Sequence, residues 1–240
     1  MIEIKNVSQS YINKVKVIEN MNLTIEDGTV FGFIGPNGAG KTTTIEMITG
    51  VLKIDKGDIL IDGKSIIDNP IEAKKKIGFV PDSPDVFEKL TGIEYLNFIA
   101  DVYEVPEKKR LEKIEDLAKK FNIYDNLKDR VQSYSHGMKQ KLLIVSVLLY
   151  DPKNWILDEP MTGLDPKASY MLKSLMKEHS KKGNTVFFST HVLEVAEKLC
   201  DKIAVIDKGK IIFVGSCDEL KEKAKTNTSL EESFLKIIDE

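Results

Sequence analysis

The sequence predicts an α/β protein in which a helical unit interrupts the alternation of strands and helices. From about residue 81 to residue 150 the periodicity is helical, and after Pro152 the alternation of strands and helices returns. We therefore expect an α/β core formed by the two ends of the chain, with the helical unit inserted between them. Apolar or alternating runs typical of strands occur in the first third, at 2–7, 21–25, 29–34 and 58–62.

The helices and the later strands are also predicted from the sequence pattern. A helix over 41–50, ended by Gly50, comes after the third strand. A short amphipathic helix over 229–240 is expected to pack on the core. The helical unit contains periodic spans at 92–105, 107–122 and 138–150. The second half of the core contains predicted strands at 155–157, 185–189 and 202–206, and predicted helices at 166–182 and 192–199.

Composition excludes several classes of protein. The 240 residues are 42% hydrophobic, which allows a sizeable core and argues against a disordered chain. The longest apolar stretch, 142–150, is broken by Ser146 and is far shorter than the roughly 20 residues that span a bilayer. The 35 basic and 38 acidic side chains give a net charge of −3, so we expect no nucleic-acid partner. Two cysteines and no signal-peptide pattern predict a cytoplasmic protein with reduced thiols.

A glycine-rich loop follows the predicted strand at 29–34. Glycines let the backbone curl so that successive N–H groups face phosphate oxygens, and the following helix adds its positive N-terminal end. Lys41 can reach the β- and γ-phosphates, the Thr42 hydroxyl can bind Mg²⁺, and Thr43 can bond phosphate. The loop therefore predicts a P-loop site for a nucleotide. Its residues fit G-x-x-x-x-G-K-[ST] at every fixed position: Gly35, Pro36, Asn37, Gly38, Ala39, Gly40, Lys41 and Thr42.

Two carboxylates end the predicted strand at 155–157. Asp158 is placed to hold Mg²⁺ through water opposite the phosphate loop, and Glu159 is placed to orient or deprotonate the attacking water. His191 follows the strand at 185–189, at the edge where α/β sheets place ligands, and its imidazole could bridge Glu159, water and the γ-phosphate. A lone Asp-Glu pair or a lone histidine is more often structural. The phosphate loop in the same chain favours the catalytic interpretation.

The motif SHGMKQ at 135–140 completes a recognisable order. Five motifs occur in a fixed order: the phosphate loop, SHGMKQ, the Asp-Glu strand, GLD at 163–165, and His191. In this order the chain resembles, over nearly its whole length, the nucleotide-binding subunits of ATP-binding-cassette (ABC) transporters. The resemblance implies a RecA-like core with an antiparallel β subdomain and an inserted helical subdomain. It implies an ATPase domain and a short tail, with the core at 1–80 and 151–220, the helical subdomain at 81–150 and the tail at 221–240.

The resemblance also implies a composite ATP site. Two subunits bind two ATP molecules head to tail, and the signature motif of one subunit caps the γ-phosphate held by the phosphate loop of the other. By motif match, Ser135 and Gly137 make these contacts, Asp165 lies in the loop that crosses the dimer interface, and Tyr11 stacks on adenine. Without the resemblance, Ser135 would be interpreted as an ordinary helix cap, and Tyr11 as a surface tyrosine at the end of a strand.

The sequence departs from the family pattern in two places. Tyr134 and His136 stand where the signature commonly has Leu and Gly, and Asp82 stands where glutamine is usual. Asp82 is placed to approach Mg²⁺ or its bound water and to report the nucleotide state to the helical unit. The alternative is a loop aspartate that begins a turn with Ser83 and Pro84. Both departures resemble the subset that works with separately encoded membrane subunits, often as exporters.

These observations predict an ATP-binding and ATP-hydrolysing subunit that powers export through integral membrane permease subunits. It would dimerise with itself and lie in the cytoplasm, peripheral on the inner face of the membrane through its partner. Lys41 and Asp158 are only 117 residues apart, which excludes the chromosome-associated members that carry long coiled coils. An ABC ATPase that regulates a membrane protein without transport, or a soluble non-transport ABC ATPase, remains the alternative.

Overall fold

Ten strands and nine α-helices make up the part of the chain that the computed structural model describes, residues 1–10, 16–84, 86–225 and 229–239. The strands are β1 (Ile2–Ser10), β2 (Lys16–Ile25), β3 (Val30–Ile34), β4 (Lys56–Ile61), β5 (Lys64–Ser65), β6 (Ile77–Val80), β7 (Asn154–Leu157), β8 (Thr185–Thr190), β9 (Lys202–Asp207) and β10 (Lys210–Gly215). The helices are α1 (Lys41–Ile48), α2 (Pro70–Lys74), α3 (Gly92–Val102), α4 (Glu107–Lys120), α5 (His136–Tyr150), α6 (Pro166–Lys181), α7 (Leu193–Leu199), α8 (Cys217–Lys223) and α9 (Leu230–Asp239).

The larger sheet is parallel except at one edge. Its order is β10-β9-β3-β8-β7-β6. β3 pairs in parallel with β8 and β9, β7 pairs in parallel with β6 and β8, and β10 is antiparallel to β9. The carboxyl ends of parallel strands meet at one edge of a sheet. The loops that follow β3, β6, β7 and β8 therefore converge there.

The smaller sheet is antiparallel and has the order β2-β1-β4-β5. Ile2 on β1 pairs with Ile25 on one side and with Ile61 on the other, and all three side chains are buried. They belong to the same apolar cluster as Phe31 and Phe187 of the larger sheet. The two sheets thus share one core, as expected of an α/β domain with an antiparallel β subdomain.

The helical unit is organised around α5. Ten consecutive residues of this helix, 140–149, are buried, and the helix packs against α3 and α4. Tyr134, just before it, donates a hydrogen bond from its hydroxyl to the Asn126 carbonyl at 2.6 Å. Burial raises the pKa of Tyr134 to about 12. The tyrosine that replaces the usual signature leucine is therefore a structural contact of the helical unit.

The last two helices pack on the edge of the core. Leu230 and Ile237 of α9 are buried in a cluster with Ile203 and Val205 of β9. The division into an ATPase domain ending at 220 and a tail starting at 221 stays a prediction, and α8 runs across that position. No helix in the described ranges combines the length and the apolar character needed to cross a bilayer.

Element boundaries differ from the predictions for local reasons. The strand predicted over 2–7 runs on to Ser10, because a register shift next to Asn6, whose φ is 51°, breaks its alternation. The helix predicted from 138 begins at His136, because Ser135 caps it. Five elements have no counterpart among the predictions: β5, α2, β6, β10 and α8. The first three have two to five residues, too few for a clear period.

Candidate active site

The loop between β3 and α1 is shaped by its glycines. Gly38 and Gly40 have φ of 79° and 108°, in the left-handed region where a side chain would be strained. A Cβ added at Gly35 would lie 2.3 Å from the Ile206 carbonyl oxygen of β9. The loop is therefore packed directly on the neighbouring strand. It leads into α1, whose first turn contains no acidic residue. Its N-terminal end keeps the partial positive charge that favours an anion.

The Lys41 side chain is folded back into this loop. Its ammonium donates hydrogen bonds to the carbonyl oxygens of Gly35 at 2.8 Å and Pro36 at 3.1 Å, and the residue is buried. Burial lowers the pKa of Lys41, and the negative charges of Glu159 and Asp158 oppose that shift. A buried ammonium held by two neutral carbonyls can exchange them for phosphate oxygens, which bind it more strongly.

A cavity of 290 Å³ opens in front of the loop. Val17 of β2, Asp82 after β6 and Glu159 after β7 line it, together with loop and α1 residues between positions 37 and 43. Asp82 is exposed and faces the same space as Lys41. Val17 has no distinguishing signal in the sequence, because a valine in an alternating strand is usually a core residue.

The carboxyl ends of β7 and β8 bring three predicted residues together. Asp158 is 2% exposed, and its Oδ1 accepts a hydrogen bond from the Ser189 hydroxyl at 2.5 Å. The same hydroxyl accepts the backbone N–H of Glu159 at 2.9 Å. Nδ1 of His191 lies 2.9 Å from Oε1 of Glu159. We call Lys41, Thr42, Asp158, Glu159 and His191 the phosphate half-site.

Three further predicted residues lie at the starts of α5 and α6. Ser135 is the N-cap of α5, and its hydroxyl accepts the backbone N–H of Met138 at 3.3 Å. A Cβ added at Gly137 would lie 2.4 Å from the Gly163 carbonyl oxygen, so the two loops touch. We call Ser135, Gly137 and Asp165 the signature half-site. None of the three lines the 290 Å³ cavity formed by described residues.

An ion pair ties the signature half-site together. Lys141 of α5 is buried, and its ammonium lies 2.5 Å from Oδ2 of Asp165. Oδ1 of Asp165 accepts the backbone N–H of Ala168 at 2.9 Å and so caps α6. The hydrogen bond from Lys141 and that from Ala168 lower the pKa of Asp165. The His136 ring packs on Gly163, where a Cβ would meet it at 2.6 Å.

A family model described as ABC transporter matches residues 18–162, more than half of the chain. The chain belongs to the ABC transporter family. The uncharacterised ABC transporter ATP-binding protein YhcH of Bacillus subtilis is 40% identical over 215 residues, which cover 89% of this chain and 69% of YhcH. This ABC ATPase chain is thus shorter than that relative, although the alignment includes both half-sites.

Two solved structures are also similar to this ABC ATPase. The structure of an ATP-binding subunit of an ABC transporter superposes with a TM-score of 0.93 at 32% identity, and covers 99% of both chains. The ATP-binding cassette MJ0796, solved as a dimer in a post-hydrolysis state bound to ADP and Pi, superposes with a TM-score of 0.81 at 25% identity, over 90% of this chain and 98% of that one.

These findings confirm the predicted fold class and biochemical class. The chain is a P-loop NTPase of the ABC type, and it is an ATP-binding, ATP-hydrolysing subunit of a transporter of this family. The roles of individual side chains stay predictions. Tyr11, predicted to stack on adenine, lies outside the described residues. Ser189, like Val17 and Lys141, is a residue of this site that the sequence did not predict. The only signal for Ser189 is a small polar side chain closing an otherwise apolar run.

Proposed function

We propose that two copies of this ATPase subunit close head to tail on two ATP molecules and so drive separate membrane subunits. The observation that carries the proposal is the separation of the two half-sites within one chain. Lys41, Asp82 and Glu159 face one cavity, while Ser135 and Gly137 stand at the exposed start of α5. A second copy in the opposite orientation would bring its α5 N-terminus, which attracts anions, to the γ-phosphate.

In this proposal the phosphate half-site binds ATP and hydrolyses it. The loop N–H groups between Gly35 and Gly40 and the Lys41 ammonium hold the β- and γ-phosphates. Glu159 orients the attacking water, and His191 holds the Glu159 carboxylate through the 2.9 Å contact. Asp158 is buried beside them, at the side of the site proposed for the metal ion.

The side chains present fit Mg²⁺ that arrives with the nucleotide. Thr42 is exposed in the cavity, and Asp158 lies at the end of β7. No group of three or more His, Cys, Asp or Glu side chains suited to a metal occurs in the described ranges. Thr42 and Asp158 would therefore hold the ion jointly with ATP phosphate oxygens, with Asp82 close by. When bound, Mg²⁺ neutralises charge on the β- and γ-phosphates.

The membrane partner is proposed to dock in an apolar groove between the larger sheet and the helical unit. The groove has a volume of 270 Å³ and is lined by Phe79 of β6, by Tyr95 and Ile99 of α3, and by Val51 after α1. Val51 is 66% exposed, so the lining includes an aliphatic side chain that a partner could cover. Phe79 lies three residues before Asp82, so a partner in the groove can act on the nucleotide cavity. We propose export as the direction of transport and the cytoplasmic face of the membrane as the location.

A mixing experiment tests the head-to-tail arrangement. Lys41→Ala should lose ATP binding in its own subunit, and Ser135→Arg should bind ATP and fail to cap the opposite nucleotide, because of its bulk. Each variant alone should be inactive. A mixture should regain partial ATPase activity, since some dimers then pair an intact phosphate half-site with an intact signature half-site. Normal hydrolysis by Ser135→Arg alone would contradict the proposal.

A further inference from the structure

The Ser189 hydroxyl contacts two consecutive residues of the neighbouring strand end. It donates to Oδ1 of Asp158 at 2.5 Å and accepts the backbone N–H of Glu159 at 2.9 Å. The side chain is completely buried. Both hydrogen-bonding functions of one hydroxyl are thus used, and both are directed at residues of the phosphate half-site.

The Glu159 backbone needs such a partner. Its φ is 45°, in the left-handed region, which is unfavourable for a residue with a Cβ. β7 ends at Leu157, so the N–H of Glu159 lies beyond the strand, and Ser189 accepts it. The carbonyl of Glu159 accepts the N–H of Thr162 at 3.0 Å. Hydrogen bonds on both sides of the residue hold it in a conformation that would otherwise relax.

Sheet register places Ser189 where it can do this. Leu157 of β7 pairs with Phe188 of β8, so Ser189 lies one step beyond the last pair, beside Asp158. Two residues further along, His191 contacts the Glu159 carboxylate at 2.9 Å. The end of β8 therefore contacts the Asp158 carboxylate, the Glu159 backbone and the Glu159 side chain together.

We propose that Ser189 is a positioning residue for ATP hydrolysis. By fixing the left-handed backbone of Glu159, it sets the direction in which the carboxylate projects into the cavity. By bonding Oδ1 of Asp158, it fixes the rotation of that carboxylate. The inference rests on the roles proposed above for Asp158 and Glu159. It adds a residue that does not touch the nucleotide and acts through both of them.

The test compares Ser189→Ala with Ser180→Ala in the full-length protein. Ser180 is a matched control, because it is also buried and its hydroxyl donates to the Lys177 carbonyl within α6. Ser189→Ala should lower kcat about 10- to 100-fold, the range expected for a hydrogen bond to a charged group, and leave the Kd for ATP within about twofold of wild type. Ser180→Ala should leave both unchanged. Equal kcat values for the two variants would overturn the inference.

Combining Ser189→Ala with Glu159→Gln distinguishes a positioning role of Ser189 from damage to the fold. Glu159→Gln should be inactive and form an ATP-dependent dimer, and Glu159→Gln with Ser189→Ala should dimerise equally well, because ATP binding does not depend on Ser189. Loss of that dimer would mean that Ser189 is structural. If Glu159→Gln hydrolyses ATP at the wild-type rate, the proposed function of Glu159 is wrong. If it is inactive while Ser189→Ala is fully active, only the inference about Ser189 is wrong.

Discussion

The phosphate half-site and the signature half-site differ in how much of their chemistry a single chain completes. In the first, Asp158 is buried, Lys41 is held by loop carbonyls, and Glu159 is bonded on its backbone and its side chain. In the second, Ser135 is exposed, and the Asp165 side chain is 48% exposed. The first is organised around the 290 Å³ cavity, and the second around the starts of α5 and α6.

This difference indicates how the work is divided. The phosphate half-site has what ATP binding requires within one subunit: a glycine loop, a cation and a helix N-terminus. The signature half-site is held in shape by Lys141 and by the contact of Gly137 with Gly163, and its three residues do not line the 290 Å³ cavity. Its contribution would therefore appear only when a second subunit brings a nucleotide to it.

Lys141→Ala should distinguish the two half-sites most strongly, by lowering ATPase turnover without changing ATP affinity. It removes the ion pair with Asp165 and so loosens the signature half-site without touching the phosphate half-site. We expect ATPase turnover to fall about tenfold, equivalent to about 1.4 kcal/mol, while the Kd for ATP stays the same. Steady-state kinetics and nucleotide titration measure the two quantities.

Lys139→Ala is the matched control for that variant. Lys139 is also on α5, and its ammonium pairs with Glu88 at 2.6 Å, away from Asp165. It should change turnover by less than about twofold, as is usual for a pair with an exposed partner. A weaker affinity for ATP in Lys141→Ala would contradict the independence of the two half-sites.

A second prediction concerns pH and the sheet beneath the phosphate half-site. His179 is buried and stacks on Trp155 of β7, with the two ring centroids 4.0 Å apart. Burial lowers the pKa of His179, and a hydrogen bond to the Lys153 carbonyl opposes the shift. The His179 imidazole is therefore protonated at a higher pH in the unfolded chain than in the folded protein. The resulting stability is fully present above the ordinary histidine pKa of about 6.5 and is lost as the pH falls below it.

Urea unfolding at about pH 7.5 and about pH 5.5 measures this linkage. The free energy of unfolding should decrease on acidification by up to about 1 kcal/mol per pH unit from this one group. His179→Phe keeps a ring against Trp155 and removes the titration, so its free energy should decrease less. An identical decrease in both proteins would show that His179 does not contribute.

The smallest effect on the isolated chain is expected for Asp82→Ala. Asp82 lines the nucleotide cavity and follows Phe79 of the apolar groove by three residues, so it connects the ATP site with the proposed membrane partner along the chain. ATP affinity should change by less than about twofold, whereas stimulation of the ATPase by the reconstituted partner should weaken. The assay is ATPase activity with and without the partner over a Mg²⁺ titration. Full stimulation with unchanged Mg²⁺ dependence would leave Asp82 as a turn residue.

The two half-sites also differ in how far the sequence predicts them. The phosphate loop is predictable because phosphate binding demands fixed residue types at fixed spacing, and Asp158 follows a recognisable apolar strand. Ser135 is locally a helix cap, and in the structure it does cap α5. Only its order among the other motifs predicts a second role. Ser189 and β6 escape prediction, since a serine at a strand end is common and four residues give no clear period.

The formation of an ATP-dependent dimer tests the composite site most directly. Glu159→Gln should retain ATP, stop turnover and elute as a dimer from a size-exclusion column run with ATP, and as a monomer without it. Adding Ser135→Arg to Glu159→Gln should keep ATP binding and abolish the dimer, because the exposed start of α5 can no longer meet the opposite nucleotide. An unchanged dimer in the double variant would contradict the head-to-tail assignment.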